Sequence, residues 1–420
     1  SIRFSFSIGA NMFMEIAKFR AARMLWATIV KEFAGKESSQ KMKVHARTSE
    51  WNKTVYDPYV NMLRGAIEAF TGAVSGVDSM HVAPFDEVIR TPNEFSRRIA
   101  RNAQIILQEE AHLGKVTDPA GGSWYVEALT NEVAKKAWAL FQETEAKGGL
   151  EKALKEGFVQ ETIQQTAKKR IENIKRRKET IVGTNRYANP MEERLTNEEE
   201  AGQAYETRKV ALQSYRQQHN PSASLDQNDA IVEEAIAFAE KGATIGAIAK
   251  AIGRGNGSET VAVIPARRGA EPFEELREQM ERYVQKTGKR PKIFLANIGK
   301  IAGYKARADF VSGFFEVGGF DVLTNNGFDN VEKAVEEALA SGAETVVISA
   351  KDDDYPAVVP KVANRLKEEN PKMTIYLAGK PTEEEFEQYK QAGVDNIVNV
   401  QSNCYDVLYH LQQLKGVRDE

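Results

Sequence analysis

Short apolar runs alternate with segments of helical periodicity over the first third of the chain. The expected strands are 2–8, 42–48 and 78–83. The expected helices are 11–33, 58–74 and 94–111, where apolar residues recur every three or four positions. Repeated strand–helix units predict a parallel sheet, and a barrel is one way to close such a sheet.

The middle of the chain is predominantly helical. From about 125 to 181 the pattern is helical with a break near Gly148 and Gly149. A polar connection is expected over 187–200, and further helices are expected at 201–218, 229–241, 245–252 and 272–286. The glycine-rich run at 253–257 hints at a phosphate cradle, but a helix precedes it where such a cradle needs a strand. A helix cap and flexible turn is therefore favoured there.

The clearest pattern lies between about residue 290 and residue 420. The expected strands are 293–297, 322–325, 345–350, 374–378 and 396–400, with helices in the gaps. Such alternation predicts a flavodoxin-like or Rossmann-like parallel sheet, whose ligands bind in the loops after the strands. No histidine occurs between His219 and His410, so this domain has no imidazole near its ligand edge.

Composition narrows the class of protein. A net charge of −3 with 28% charged residues gives no reason to expect a nucleic-acid or membrane-surface partner. The single cysteine, Cys404, excludes an internal disulfide and a cysteine-cluster metal site, and it fits a reducing cytoplasm. No apolar run approaches the roughly 20 residues that span a bilayer.

Four long runs carry a family resemblance. Residues 11–26 read NMFMEIAKFRAARMLW, 96–104 read SRRIARNAQ, 118–125 read DPAGGSWY and 182–187 read VGTNRY. In this order they resemble motifs of the acyl-CoA-binding barrel of methylmalonyl-CoA mutases.

The resemblance implies an α/β chain of three units. Residues 1–187 would be the C-terminal part of a (β/α)8 barrel, 188–289 a helical linker region, and 290–420 a degenerate flavodoxin-like domain of the cobalamin-binding type. Because part of a barrel leaves strand edges open, we expect further residues before Ser1 to complete it.

The family's cobalamin loop follows the first strand of the last domain and reads D-x-H-x-x-G. Its histidine coordinates cobalt, its aspartate orients the histidine, and its glycine leaves room for the cofactor's tail. Counting back from residues 319–322, which resemble the family's G-F-D-V, puts Ala302, Tyr304 and Arg307 at these positions. A phenol is a poor cobalt ligand beside an imidazole, alanine cannot orient a ligand, and arginine adds a long side chain. The tail-binding motifs at 349–351, 378–379 and 399–402 also depart from the family pattern.

The substrate segment of the barrel is altered as well. Residues 43–51 read KVHARTSEW where the catalytic chain has R-x-H-x-Q-T-S-G-W, so Arg47 replaces glutamine and Glu50 replaces glycine. We expect these charges to sit in a largely enclosed site at a desolvation cost. The substrate-binding remnants are Arg3, His45, Ser49 and His81. A histidine on a strand is more often a hydrogen-bonded structural residue than a catalyst.

These departures favour the non-catalytic small subunit of a heterodimeric, adenosylcobalamin-dependent methylmalonyl-CoA mutase. The implied partner is a catalytic large subunit that carries the cofactor and interconverts (R)-methylmalonyl-CoA and succinyl-CoA. No catalytic, cofactor-binding or metal-binding residue is expected on this chain. Two alternatives stay open: a catalytically competent acyl-CoA mutase, and a regulatory module that binds acyl-CoA through the barrel alone.

Overall fold

The computed structural model describes residues 2–190, 192, 194–195, 200–219, 221, 225, 230–253 and 260–418. The glycine-rich run from Arg254 to Gly257 and residues 196–199 of the polar connection lie outside the described residues.

A three-stranded parallel sheet forms the first part of the structure, in the order β1-β2-β3. The strands are β1 (Phe4–Ile8), β2 (Val44–Thr48) and β3 (Ser79–His81). The helices beside them are α1 (Met12–Glu32), α2 (Glu37–Gln40), α3 (Val60–Val74) and α4 (Glu94–Glu109). The predicted alternation is confirmed, whereas closure into a barrel stays a prediction.

The alternation of apolar and polar residues along β1 determines which face of this sheet is apolar. Phe4, Phe6 and Ile8 face α1, where the Phe6 ring meets the buried Phe19 ring with centroids 5.7 Å apart. Helix α1 begins after Asn11, whose side chain accepts from the Met14 amide as an N-cap. The opposite face of β1 is left with serines, because side chains alternate along a strand.

In the described part of the chain, seven further helices follow α4 before the second sheet begins. They are α5 (Trp124–Ala146), α6 (Gly149–Lys155), α7 (Phe158–Lys175), α8 (Glu200–Gln218), α9 (Ile231–Glu240), α10 (Ile245–Ala251) and α11 (Glu271–Thr287). The expected break lies at Gly148 and Gly149, which have φ values of 95° and 87° that only glycine adopts readily. Helix α11, expected in the linker region, buries Phe273, Leu276 and Met280 in the core beneath the second sheet.

The second sheet has five parallel strands in the order β5-β4-β6-β7-β8. They are β4 (Lys292–Asn297), β5 (Asp321–Leu323), β6 (Thr345–Ser349), β7 (Thr374–Ala378) and β8 (Asn396–Val398). The helices are α12 (Ile301–Phe315), α13 (Val331–Ala340), α14 (Tyr355–Glu369), α15 (Glu383–Gln391) and α16 (Cys404–Leu414). If the strands of this sheet are numbered 1 to 5 along the chain, starting at β4, their spatial order is 2-1-3-4-5, which is the flavodoxin-like order. Two apolar layers enclose the sheet, with α11, α12 and α16 on one face and α13 to α15 on the other.

The segment after β4 differs from the sequence-based expectation of a loop that runs through Arg307. Helix α12 begins at Ile301, so Ala302, Tyr304 and Arg307 are helical. Alanine and arginine are strong helix formers, whereas the aspartate and glycine of the family's loop are poor ones. The departures from the family motif thus favour an earlier start of the helix.

Candidate functional sites at the two sheet edges

Polar side chains form two rows across the first sheet. In register, Ser5 pairs with His45 and His45 with Ser79 in one row, and Arg47 pairs with His81 in the next. These side chains lie on the face away from α1, since residues paired in register share a face. His45 Nδ1 lies 2.8 Å from Ser79 Oγ, so the fold brings these two groups together.

Arg47 is held by two carboxylates of its own chain. Its Nη1 donates to Glu50 Oε1 at 2.6 Å and its Nη2 to Glu87 Oε1 at 2.6 Å. The bond to Glu50 and the field of Glu87 raise the pKa of Arg47. The side chains of Arg47 and Glu50 are 40% and 50% exposed on this three-stranded sheet, and the expectation that a closed barrel encloses them stays a prediction. The guanidinium that replaces the family's glutamine is already occupied.

The remaining substrate remnants are scattered. Arg3 and His81 are exposed, whereas Ser49 is buried and its Oγ accepts from the Trp51 amide at 3.2 Å. The structure therefore pairs His45 with Ser79, a partner that the sequence pattern does not predict. A binding role for these residues stays a prediction.

At the carboxyl edge of the second sheet, Tyr304 points inward. Its side chain is only 2% exposed, and its hydroxyl donates to the backbone carbonyl of Asn326. Gly327 beside it has φ of 86°, and a Cβ there would lie 2.5 Å from the phenol oxygen. Glycine is thus required at 327 both by the backbone and by the tyrosine ring. The phenol fills space beneath the sheet edge.

Arg307 closes the neighbouring gap between α12 and the loop after β6. Its Nη1 donates to the carbonyl of Ala350 at 2.9 Å, and its Nη2 lies 2.7 Å from Asp352 Oδ1. Its guanidinium also lies over the ring of Tyr355, 5.6 Å from the centroid. Tyr355 is buried and donates to the carbonyl of Ala378, which ends β7. Burial raises the pKa of Tyr355 to about 12.

Two buried polar groups lie at the strand ends beside this arrangement. Asn297 and Ser349 are partners in register at the ends of β4 and β6 and are almost completely buried. Within the described part of the chain, Asn297 Oδ1 and Ser349 Oγ have no hydrogen-bond partner. Unpartnered buried polar atoms are rare in folded proteins, so this edge retains polar groups that its own structure does not satisfy.

Two ion pairs with buried carboxylates have no counterpart among the sequence-based expectations. Lys53 Nζ lies 2.6 Å from Glu68 Oε2, and both residues are almost fully buried between the loop after β2 and α3. Burial lowers the pKa of Lys53 and raises the pKa of Glu68. Glu274 on α11 accepts from the Val55 amide at 2.6 Å and lies 2.6 Å from Arg268 Nη2. No short motif signals these contacts, because Glu68 lies 15 residues after Lys53 and Val55 lies 219 residues before Glu274.

Two other kinds of site are absent from the described part of the chain. Among the residues that the structure describes, no group of three or more His, Cys, Asp or Glu side chains is placed to hold a metal ion. In the same residues, no helix is both long enough and apolar enough to cross a membrane.

Comparison with known proteins identifies relatives along almost the whole chain. The family model described as methylmalonyl-CoA mutase matches residues 1–258. The methylmalonyl-CoA mutase small subunit of Porphyromonas gingivalis is 35% identical over 99% of this chain and 59% of that protein. The small subunit of Streptomyces virginiae is 33% identical over 94% of this chain and 55% of that protein. The methylmalonyl-CoA mutase large subunit of Porphyromonas gingivalis is 33% identical over 94% of this chain and 58% of that protein.

The chain therefore spans somewhat less than three fifths of the length of these curated relatives, or at most 59%. A solved structure described as a novel cobalamin-binding protein from Desulfitobacterium hafniense covers 51% of this chain and 91% of its own, with 19% identity and a TM-score of 0.25. A likeness that low supports no inference about this chain.

Proposed function

Since the chain belongs to the methylmalonyl-CoA mutase family, we propose that it acts as the non-catalytic small subunit of a heterodimeric mutase. Its partner is a catalytic large subunit, which holds adenosylcobalamin and interconverts (R)-methylmalonyl-CoA and succinyl-CoA. The contribution of this chain is structural, through its contact with that subunit. We place the complex in the cytoplasm, because the single cysteine fits a reducing compartment.

The inward position of Tyr304 is the observation that carries this proposal. A cobalt ligand must present its donor atom at the carboxyl edge of the sheet, but the Tyr304 oxygen donates to the Asn326 carbonyl inside the fold. A phenol is moreover a poor substitute for imidazole. The residues present therefore do not fit cobalamin, and we assign no step of the reaction to this domain.

The position of Arg307 also supports a domain that does not bind cobalamin. The cofactor's tail needs an open channel where the family has glycine. Arg307 fills this position and is held there by Ala350, Asp352 and the Tyr355 ring. Displacing it would break charge-assisted hydrogen bonds, which are among the stronger ones in proteins.

The first sheet supports a non-catalytic role as well. A substrate carboxylate that approached Arg47 would compete with Glu50 and Glu87, which already hold both of its Nη groups. The pairing of His45 with Ser79 keeps open a second candidate, an acyl-CoA-binding module that uses the polar face of the first sheet. That candidate requires CoA-ester affinity in the absence of the large subunit.

Cobalamin binding by the full-length chain tests the proposal. We expect no stoichiometric binding of adenosylcobalamin by absorbance and no mutase activity from this chain alone, with activity appearing when a large subunit is added. One equivalent of bound cofactor, or activity without a partner, would overturn the proposal. Tight binding of a CoA ester to the isolated chain would instead favour the acyl-CoA-binding module.

A restoring variant tests the reasoning about the loop. Replacing Ala302→Asp, Tyr304→His and Arg307→Gly together should allow measurable cobalamin binding, since it returns the ligand, its orienting carboxylate and the open channel. Ala306→Gly, an exposed change on the same helix, is the matched control and should gain nothing. If the wild-type chain is active alone and the triple variant gains nothing, the assignment of these three positions is wrong.

A further inference from the structure

An extended segment, which we call the strap (residues 262–269), runs along helix α7 and reaches the loop that follows β2. At one end the carbonyl of Ala262 accepts from Gln160 Nε2 at 3.1 Å. At the other end the Gly269 amide donates to the Trp51 carbonyl at 2.7 Å, and a Cβ on Gly269 would lie 2.9 Å from Ile174. The strap therefore accompanies α7 from residue 160 to residue 174.

The two attachments leave the strap almost no slack. The covered part of α7 is ~21 Å long at the rise of an α-helix. Seven fully extended residues reach only about 23–25 Å. The strap is thus extended along α7. A cavity of about 580 Å³ lies between strap and helix.

The floor of the cavity is apolar. Ile163, Ala167 and Ile171 are spaced by four residues and form one stripe on α7. The stripe is about 12 Å long. Ile264 of the strap and the indole of Trp51 complete the apolar lining. A single apolar chain about two helical turns long would match this floor.

The rim of the cavity is cationic. Lys168, Lys175 and Arg267 line it, and Glu172, the one carboxylate among the described lining residues, accepts from Arg176 at 2.5 Å. Among the residues that the structure describes, none of the three cations forms an ion pair with a carboxylate. Lys175 instead lies over the Tyr405 ring, 4.1 Å from its centroid. Uncompensated cations beside an apolar floor favour an anionic head group on an apolar tail.

We propose that this groove binds an amphiphilic anion, with a carboxylate or phosphate head and one apolar chain. The head lies at the Trp51 end near Lys175 and Arg267, and the chain extends along α7 towards Ile163. The volume lies within the range of about 300–1,000 Å³ typical of small-molecule sites. The residues that line this groove do not include those of the polar rows on the first sheet, and the proposal does not depend on whether the chain is catalytic.

Calorimetry on the full-length chain tests the proposal, with decanoate and decyl phosphate as probes below their aggregation concentrations. We expect saturable binding of at least one of them, and the stronger of the two identifies the head group. Decanol supplies the tail without charge, and inorganic phosphate supplies the charge without a tail. Both should bind far more weakly. Equal binding of decanol, or no saturable binding of either probe, would overturn the proposal.

Charge variants locate the site. Lys175→Ala combined with Arg267→Ala should weaken binding about fivefold to tenfold, because partly exposed ion pairs each contribute a few-fold. Lys169→Ala removes a neighbouring lysine of α7 that does not line the cavity and should leave affinity unchanged. Equal losses in the double variant and in Lys169→Ala would mean non-specific attraction and overturn the proposal.

A variant that fills the groove distinguishes the binding of a small ligand from the docking of a protein partner. Ala167→Trp should occupy the floor and abolish binding of the probe, while circular dichroism verifies folding. If it abolishes association with the large subunit in a chain that never bound either probe, the groove docks a protein and the proposal fails. The charge variants remain decisive if Ala167→Trp does not fold.

Discussion

At the scale of single residues, we expect the buried pair of Glu68 and Lys53 to contribute strongly to the free energy of unfolding. Burial disfavours the charge on both groups, so each depends on its partner. Glu68→Ala leaves the Lys53 ammonium buried without a counter-charge. Breaking a buried pair in this way costs about 3–5 kcal/mol, which we expect as a loss of unfolding free energy in urea. Glu132→Ala breaks an exposed pair with Lys135 and should cost much less. Equal losses would contradict the role given to burial.

Tyr355 provides a test by pH. Its ordinary pKa is 10.0 and burial raises the pKa in the fold to about 12. Between these values unfolding releases the phenolic proton, so the stability from Tyr355 is complete below pH 10 and is lost as pH rises. Tyr355→Phe removes this titration. At pH 8 the variant should have an unfolding free energy about 1 kcal/mol below that of the wild-type chain, because it lacks the hydrogen bond. Above pH 10 this difference should shrink by about 1.4 kcal/mol per pH unit. Urea unfolding of both proteins at pH 8, 10 and 11 measures the difference, and a constant difference would contradict the assignment.

At the scale of elements, the start of α12 depends on residues that the family's loop lacks. Arg307→Gly should destabilise the first turns of α12 by about 1 kcal/mol through helix propensity, and further through the lost bond to Ala350. Ala306→Gly makes a similar propensity change at an exposed position without that bond. Hydrogen exchange of the amides at 304–308 should therefore rise more in Arg307→Gly. Equal exchange in the two variants would show that the contact with Ala350 contributes nothing.

The elements of the second sheet show which features can be predicted from the sequence and which cannot. Buried parallel strands such as β4 and β6 are predicted to within a few residues, because they read as continuous apolar runs. The expected start of α12 is wrong because the family motif suggests a loop, while local helix propensity decides the structure. The pairing of Arg47 with Glu87 is also missed, since Glu87 comes from beyond the next strand and only the fold brings it near. The cavity beside the strap depends on two distant hydrogen bonds and has no motif.

At the scale of the whole molecule, the parts that carry the two sheets are joined through α11. Its residues Phe273 and Leu276 belong to the core of the second sheet, while Glu274 between them accepts from the Val55 amide beyond the end of β2. Apolar contact also crosses this boundary, since Trp51 packs against the same core. One helix therefore contributes to the second core and holds the first part against it. This arrangement favours unfolding of the two parts as one cooperative unit.

Glu274→Ala should uncouple the two parts. The change leaves Arg268 without the 2.6 Å contact of its Nη2 and the Val55 amide without its acceptor, while the apolar face of α11 is untouched. Leaving a buried or partly buried donor without its acceptor costs about 1–3 kcal/mol, and both affected donors lie at the junction. Calorimetry should therefore resolve the single transition of the wild-type chain into two, with the part that carries the first sheet melting earlier. Glu275→Ala is the matched control, because this neighbouring carboxylate is exposed and pairs with Arg418 at 3.0 Å near the end of the chain that the structure describes. A single transition in Glu274→Ala, shifted no more than in Glu275→Ala, would mean that the apolar contact around Trp51 suffices to hold the two parts together.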